Sequence, residues 1–224
     1  MLRTHLIHAR DIIRDLGLRR GLGMGPRWLQ ARRFHLVASP IDATVAVAPL
    51  PGARCEVLTE RDLQAFVRGC QAVSAREVRR RWRAREECLV CWIDGEVAAY
   101  RWDTAGTAYL PYLSRWLRGA PGDGLVLECR TLPGRRRTGA GSLLVEARFA
   151  RARRQGIRRH VGLIAEWNRP SLAWAAGLGW SQLGAIGYRW TLRGRRYFAE
   201  GALRLDGDEV AVLPPAPVES LRRA

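Results

Sequence analysis

Residues 131–141 read TLPGRRRTGAG and are the most informative stretch of the chain. It follows an apolar, strand-like run at residues 125–127 and leads into a helix-like run at residues 142–155. Glycines between a strand and a helix let backbone N–H groups approach an anion closely, because no Cβ intervenes. The helix dipole adds about half a positive charge at that end. The stretch therefore predicts a cradle for a diphosphate.

The surrounding sequence shows regular helix and turn signals. Ser74 and Glu77 form a capping box before a short helix, and Asp94-Gly95 predicts a tight hairpin between residues 88–93 and 96–102. Gly156 fits the position that ends the helix opened by the glycine stretch. Further strands are predicted at residues 55–58, 124–132 and 158–165 and twice within 180–197, with a short helix at 170–177 and a connection at 104–123. This order predicts an α+β fold with a central mixed sheet flanked by helices.

Both ends differ in composition from the middle. Apolar residues recur at steps of three and four near the N-terminus, and arginines lie between them, which indicates a basic amphipathic helix. The apolar positions are Leu2, Leu6, Ala9, Ile13 and Leu16. This helix either docks on the main domain or meets a membrane surface. We expect a basic extension at residues 1–54, a domain at 55–199 and a peripheral tail at 200–224.

Charge and hydropathy bound the function. The 224-residue chain has a net charge of +17 and contains no lysine. Either the composition replaces lysine by arginine throughout, or the chain meets an anionic partner such as a phosphorylated cofactor, nucleic acid or anionic lipid. No apolar run approaches the roughly 18 residues of a membrane span, and the N-terminus lacks the apolar core of a secretory signal. The expected location is therefore the cytoplasm.

The five cysteines are scattered and odd in number, which argues against a disulfide framework. Cys88-x-x-Cys91 has the spacing of a metal or redox pair. Residues 88–93 read as a strand, however, and side chains at i and i+3 on a strand face opposite sides. No second Cys or His pair has ligand spacing, so we predict no metal site and treat the cysteines as small apolar residues.

These residues together resemble the GNAT superfamily of acetyl-CoA-dependent N-acetyltransferases over residues 55–198. The family's block Arg/Gln-x-x-Gly-x-Gly/Ala is matched by Arg136, Gly139 and Gly141, with Pro133 three residues upstream. Its second block runs from an asparagine through small residues and an aromatic residue to a Gly-aromatic pair. That block is matched by Asn168, Pro170, Ser171, Leu172, Trp174, Gly179 and Trp180.

The resemblance implies acetyl-CoA as the acyl donor. Backbone N–H groups of residues 137–142 would hold its diphosphate. Its pantetheine arm would run between the strand that ends at Thr131 and a neighbouring strand that separates from it after Ile164. The residues implied to bind the donor are Cys129, Arg130, Thr131, Arg136, Arg137, Thr138, Gly139, Ala140, Gly141, Ser142 and Asn168.

The family's proton donor is missing at its usual place. Many members use a tyrosine in the second block to protonate the departing thiolate, and that position is Ala175 here. Tyr188 is the expected substitute, with Tyr109, Tyr112 or water as alternatives. A chain with little or no activity is also compatible with this departure.

A general base is expected among the carboxylates, because an amine must lose a proton when it attacks a thioester. Glu128 lies on the strand before the glycine stretch, where the family often places such a group, and Glu166 is the second candidate. The alternative for Glu128 is an ion pair with one of the many arginines. The oxyanion donor is expected to be the backbone N–H of Cys129, Arg130 or Thr131.

Other polar residues are expected to be structural or exposed. His160 follows Arg158 and Arg159 and is predicted at the surface. Four arginines after the glycine stretch are predicted on a solvated helix face, where one or two reach the 3′-phosphate of coenzyme A. They are Arg148, Arg151, Arg153 and Arg154.

The leading hypothesis is acetyl transfer from acetyl-CoA to a primary amine by direct attack in a ternary complex. The acceptor would be a small molecule or a peptide, bound near Phe66, residues 79–82 and residues 109–116, which could equally be packing residues. One alternative is transfer of a longer acyl group from acyl-CoA or acyl carrier protein, with the basic N-terminal helix against an acidic partner or an anionic membrane. The other is a non-catalytic module that binds acyl-CoA or nucleic acid, although no clear nucleic-acid motif is present.

Overall fold

The computed structural model of the protein describes residues 31–42, 47–70 and 73–215. The strands are β1 (Ala31–Pro40), β2 (Ala53–Val57), β3 (Glu87–Ile93), β4 (Glu96–Ala105), β5 (Thr107–Leu110), β6 (Arg115–Arg118), β7 (Asp123–Thr131), β8 (Arg159–Ala165), β9 (Ser181–Thr191), β10 (Gly194–Gly201), β11 (Leu203–Asp206) and β12 (Glu209–Val212). The helices are α1 (Leu63–Gly69), α2 (Ala75–Arg83), α3 (Ala140–Arg154) and α4 (Arg169–Gly177), and a 3-10 turn spans Pro133–Arg135.

An eight-stranded sheet with the order β10-β9-β1-β8-β7-β4-β3-β2 forms the centre of the fold. Strands β7 and β8 pair in parallel, and the other neighbours in this sheet are antiparallel. The predicted α+β class with a central mixed sheet is confirmed. The predicted N-terminal amphipathic helix falls on residues 1–30, outside the described part of the chain.

Several local signals have the predicted structure. Ser74 Oγ accepts from the Glu77 N–H at 3.2 Å and caps α2. Asp94 and Gly95 both have positive φ, as a two-residue hairpin turn requires, and they join β3 to β4. Gly156 follows α3 with φ of 71° and ends it in the left-handed conformation.

Strand β1 is a central strand of the main sheet, although its residues were placed in the N-terminal extension. It pairs antiparallel with β8 on one side and with β9 on the other. Leu36 and Val37 are buried there. The division at residue 54 remains a prediction about independent folding units, since strand pairing alone does not define such units.

A second, four-stranded sheet with the order β11-β12-β6-β5 lies beside the first. Its hairpin β5–β6 occupies the stretch predicted as a connection, and β11 and β12 belong to the predicted tail. Leu117 and Val210 pair across β6 and β12 and are both buried, so the inner face of this sheet is part of the core. The alternation within four-residue strands is too short to stand out in sequence.

The core covers both faces of the main sheet. On one face, α1 and α2 pack over β3 and β4, and the second sheet packs over β1, β7, β8 and β9. On the other face lies α3, whose buried residues Leu144, Val145 and Phe149 follow a helical period. Within the described residues, no helix is both long enough and apolar enough to span a membrane.

Candidate functional site

The parallel strands β7 and β8 separate halfway along their length. Their pairing begins at Asp123 with Arg159 and ends at Val126 with Gly162. Beyond this point β7 continues along β4 to Thr131, while β8 continues along β1 to Ala165. A gap therefore opens between the two strands, two residues earlier on β8 than the sequence predicted.

Backbone groups on both strands point into this gap. The Leu132 N–H donates to Ala98 O at 2.9 Å, in the same register that pairs Tyr100 with Arg130. Because bonded and non-bonded pairs alternate in an antiparallel ladder, Arg130 bonds to β4 and the N–H and C=O groups of Cys129 and Thr131 face the gap. From the sequence, the backbone N–H of Cys129, Arg130 or Thr131 was expected to be the oxyanion donor, without a choice among the three.

On the other side of the gap, the pairing of β8 with β1 sets the direction of the backbone groups. The Glu166 N–H donates to Arg33 O at 3.0 Å and continues the pairing of β8 with β1. The backbone groups of Leu163 and Ala165 therefore face away from β1 and toward β7. Among the residues that the structure describes, no strand pairs with these two edges of the gap, so an extended ligand with amide groups can bond there as an added strand.

The glycine loop lies at the end of β7 and opens α3. Gly139 is the N-cap of α3 with φ of 91°, and no side chain caps the helix there. The first intrahelical bond of this turn runs from the Leu143 N–H to Gly139 O, which leaves the N–H groups of residues 140–142 for an external acceptor. A Cβ on Gly139 would meet nothing within 4 Å, so the space before the helix is open. This arrangement fits a diphosphate.

The loop arginines have different environments. Arg135 pairs with Glu96 at 2.9 Å, and its carbonyl accepts from Thr138 Oγ1 at 2.7 Å, which braces the turn. Arg137 is exposed, has a φ of 63°, and no charged group among the described residues pairs with it. Its guanidinium is therefore available for an anion at the start of α3.

Helix α4 closes the outer side of the loop. Asn168 caps α4, because its Oδ1 accepts from the Ser171 N–H at 3.3 Å. A role for Asn168 in donor binding remains a prediction and would fall to its amide nitrogen. A Cβ on Gly141 would lie 2.9 Å from Thr131 Oγ1 and 3.9 Å from the Trp174 ring, so glycine keeps β7, α3 and α4 close together.

Glu128 sits beside the gap on the face covered by α1 and α2. Its Oε2 accepts from Arg81 Nη2 at 2.9 Å, and its Oε1 accepts from the Tyr100 hydroxyl at 2.8 Å. The carboxylate is 23% exposed, so water reaches it. The ion pair considered as the alternative for Glu128 is therefore present, and the open side leaves room for a role as a base.

The tyrosines lie at different distances from the gap. Tyr188 is buried, 1% exposed, in the core cluster under the second sheet. Strands β8 and β1 lie between β7 and β9, and β7 has already separated from β8 at Glu128, so the backbones of Glu128 and Tyr188 are more than three strand spacings, or about 14 Å, apart. The structure does not bring these two predicted catalytic residues together. Tyr109 is 46% exposed on the outer face of the second sheet, against Trp116.

Among Tyr109, Tyr112 and Tyr188, Tyr112 packs nearest to the gap. Its ring lies 4.8 Å from the ring of Phe34, which pairs with Ala165. Leu127 and Leu163, at the point where the strands separate, pack against the same cluster. Burial raises the pKa of Tyr112, so its hydroxyl keeps its proton at neutral pH. Tyr112 was only an alternative in the sequence, because nothing there shows that residues 109–116 fold back over β1.

A buried ionic network ties α3 to the sheet. Asp103 accepts from Arg101 Nε at 2.8 Å and from Arg148 Nε at 3.0 Å, and all three side chains are at most 3% exposed. The expectation that Arg148 lies on a solvated face is wrong. The residue lies on the inner face of α3, where the paired carboxylate makes burial of its charge tolerable.

His160 is also buried rather than exposed. It stacks on Phe149 of α3 with ring centroids 5.5 Å apart, and neither ring nitrogen has a hydrogen-bond partner among the described residues. Burial, together with the nearby charges of Arg101 and Arg148, lowers the pKa of His160. The adjacent Arg158 and Arg159 suggested an exposed position, and the sequence does not show that β8 lies under α3.

The residues predicted for the acceptor side differ in burial, and most of residues 79–82 and 109–116 are exposed or half-buried. Phe66 is fully buried and packs edge-on against Tyr100, which makes it a packing residue. A shallow depression of about 560 Å³ is lined by Arg76, Arg79, Trp82 and Arg83 on α2. Cys88 and Cys91 belong to core clusters on opposite faces of the sheet, as the strand alternation predicts.

The described residues thus combine a sheet that splits between β7 and β8 with a glycine loop at the N-terminus of α3. The model of the Acetyltransferase (GNAT) family matches residues 57–180, which is more than half of the chain. The protein belongs to this family. The resemblance inferred from the two sequence blocks is thereby confirmed.

Solved structures are similar to this chain at low sequence identity. A conserved protein of unknown function from Staphylococcus epidermidis has a TM-score of 0.52 at 11% identity, over 78% of this chain and 63% of that one. A putative GNAT acetyltransferase from Novosphingobium aromaticivorans has a TM-score of 0.48 at 18% identity, over 71% and 63%. A GCN5-related N-acetyltransferase from Kribbella flavida has a TM-score of 0.47 at 17% identity, over 75% and 62%. The match therefore spans less than two thirds of each of these proteins. No curated protein matches the sequence.

Proposed function

We propose that the protein transfers an acetyl group from acetyl-CoA to a primary amine by direct attack in a ternary complex. The observation that carries this proposal is the gap between β7 and β8, which ends at an uncapped helix N-terminus. The chain's membership of the acetyltransferase family supports it. The acceptor is a small-molecule amine in this proposal.

The residues around the gap fit each part of the donor. N–H groups of residues 140–142 and the guanidinium of Arg137 hold the diphosphate, where the helix dipole adds to the attraction. The backbone groups of Cys129, Thr131, Leu163 and Ala165 bond to the amides of the pantetheine arm. When bound, acetyl-CoA supplies the activated thioester that the amine attacks.

Glu128 acts as the base in this proposal. The attacking amine loses its proton to Glu128 through a water molecule at the exposed side of the carboxylate. Arg81 and Tyr100 hold the carboxylate in place, each through one oxygen. Negative charge that develops on the carbonyl oxygen is met by the N–H of Cys129 or Thr131, since these donors point into the gap.

Tyr112 is the proton donor that we propose for the departing thiolate. Its cluster includes Leu127 and Leu163 at the gap, whereas Tyr188 lies three strand spacings from β7. The hydroxyl of Tyr112 carries its proton at neutral pH and can donate it to the thiolate as that forms. Tyr112→Phe is expected to lower kcat, whereas Tyr188→Phe should leave kcat close to that of the unsubstituted protein.

The direct test is a calorimetric titration with acetyl-CoA at two salt concentrations, followed by detection of free thiol with a panel of amines. Micromolar binding that survives the higher salt, with amine-dependent thiol release, is the expected result. Arg137→Ala should weaken binding, while Arg154→Ala, the matched removal of an exposed arginine at the far end of α3, should not. Binding that disappears with salt in both variants alike would mean a general polyanion surface and would refute the proposal.

A further inference from the structure

Two cysteines face each other across β2 and β3 on the side covered by α3. Cys55 pairs with Cys91 in the antiparallel register. The Leu58 N–H donates to Cys88 O at 2.8 Å and the Asp94 N–H donates to Gly52 O at 3.1 Å in the same register. Hydrogen-bonded pairs therefore fall on even-numbered residues of β2, and Cys55 with Cys91 is a non-hydrogen-bonded pair.

This kind of pair has the spacing that a disulfide requires. Directly opposed residues of a non-hydrogen-bonded pair have Cα atoms about 4.5 Å apart, with side chains on the same face. Disulfides span Cα separations of about 4.4–6.8 Å, so the backbone need not move to form one. Both thiols are free in the structure.

The two sulfurs differ in how accessible they are to a reagent in solution. Cys91 is buried under Ala140 and Leu144 of α3, whereas Cys55 is partly exposed near the edge of the sheet. A hydrogen bond from Cys55 lowers the pKa of Cys91, because one thiol donates to the thiolate of the other. The same bond, together with burial, raises the pKa of Cys55, so the pair loses its first proton from Cys91 and the remaining proton lies between the two sulfurs.

We propose that Cys55 and Cys91 form a reversible intramolecular disulfide when the protein meets a peroxide. The accessible sulfur of Cys55 attacks one peroxide oxygen while its proton passes to the Cys91 thiolate, so that an S–O bond forms, the O–O bond breaks and the departing oxygen leaves as water. The sulfur of Cys91 then attacks Cys55, so that the S–S bond forms, the S–O bond breaks and a second water leaves with the Cys91 proton. Two thiols are oxidised by two electrons in total, and one peroxide is reduced to two waters.

The test uses the full chain with Cys129→Ser, because Cys129 is exposed and would react separately. The protein is treated with hydrogen peroxide, unfolded, alkylated with N-ethylmaleimide and mapped by mass spectrometry. We expect two of the four remaining thiols to escape alkylation, a linked peptide pair that contains Cys55 and Cys91, and full recovery with dithiothreitol. The cross-link should also raise Tm by about 5–10 °C, since it closes a long loop.

Two further variants separate this pair from the other buried thiols. Cys55→Ser should abolish both the linked peptide and the Tm rise, while Cys88→Ser, on the opposite face of β3, should leave both unchanged. Complete alkylation of Cys55 and Cys91 after peroxide would overturn the proposal. Oxidation of Cys55 to sulfinic acid without a link would overturn it as well. Peptide mapping of the protein with only Cys129 replaced decides the question if either variant fails to fold.

Discussion

Gly139 shows how a single residue sets the conformation of the proposed donor site. Its φ of 91° costs any residue with a Cβ about 1–2 kcal/mol, although the space around it is open. Gly139→Ala should therefore shift the loop and lower the affinity for acetyl-CoA about tenfold, as measured by calorimetry. Gly134→Ala is the matched control, since Gly134 lies in the same loop with open space and no positive φ. Equal affinities in the two variants would contradict the proposed cradle.

Glu128 allows a sharp test of the chemistry. Glu128→Gln keeps the shape of the side chain and removes its basicity, so kcat/KM should fall about 100-fold with the affinity for acetyl-CoA unchanged. The measurement combines steady-state kinetics with calorimetry. Glu166→Gln is the control, because Glu166 is exposed and was the second candidate in the sequence. Activity that survives in Glu128→Gln but is lost in Glu166→Gln would reverse the assignment.

His160 gives the protein a pH-dependent stability. Its pKa lies below the ordinary value in the folded state, so below about pH 6.5 the unfolded chain binds a proton that the folded chain does not. The free energy of unfolding is therefore unaffected by His160 above about pH 6.5. At lower pH it falls, by up to about 1.4 kcal/mol for each pH unit. Urea unfolding at pH 7, 6 and 5 should show this slope, and His160→Phe should reduce it. An unchanged slope in the variant would assign the effect to other groups.

Among the elements, α3 is attached to β4 by a buried ion pair that no local sequence pattern predicts. Asp103 is the shared partner of Arg101 and Arg148, and all three are buried. Asp103→Asn should lower the free energy of unfolding by about 3–5 kcal/mol, because the Arg101 guanidinium loses its counter-charge and Arg148 keeps only Glu87, at 3.4 Å. Glu200→Gln removes the exposed partner of Arg33 and should cost less than about 1 kcal/mol in the same denaturation experiment.

The elements differ in how far the sequence reveals them. The hairpin at Asp94, the cap at Ser74 and the glycine loop are local, and each follows from a few adjacent residues. The direction of the backbone groups of Cys129 and Thr131 depends on register with β4, which no local pattern contains. The burial of Arg148 and His160 likewise depends on α3 lying over distant strands. Local conformation can thus be predicted from adjacent residues, whereas burial and backbone direction that depend on distant strands cannot.

For the molecule as a whole, β1 joins the two parts of the main sheet. In strand order, β9 and β10 reach β8 only through β1, although β1 precedes all of them in the chain. Leu36 lies fully buried in β1, opposite Leu163 of β8 and Gly184 of β9. We therefore expect Leu36→Ala to weaken the whole sheet rather than one edge, with a loss of about 2–5 kcal/mol in the free energy of unfolding.

The measurement is urea unfolding combined with hydrogen exchange, and Leu192→Ala is the matched control because Leu192 is fully exposed beside β9. In Leu36→Ala, amides of β8 and β9 should lose protection together, since both strands bond to β1. The free energy for Leu192→Ala should stay within about 0.5 kcal/mol of the unsubstituted protein. Loss of protection in β9 and β10 alone would show that β8 and the donor gap are held without β1. In that case the segment before residue 41 could be altered without effect on acetyl-CoA binding.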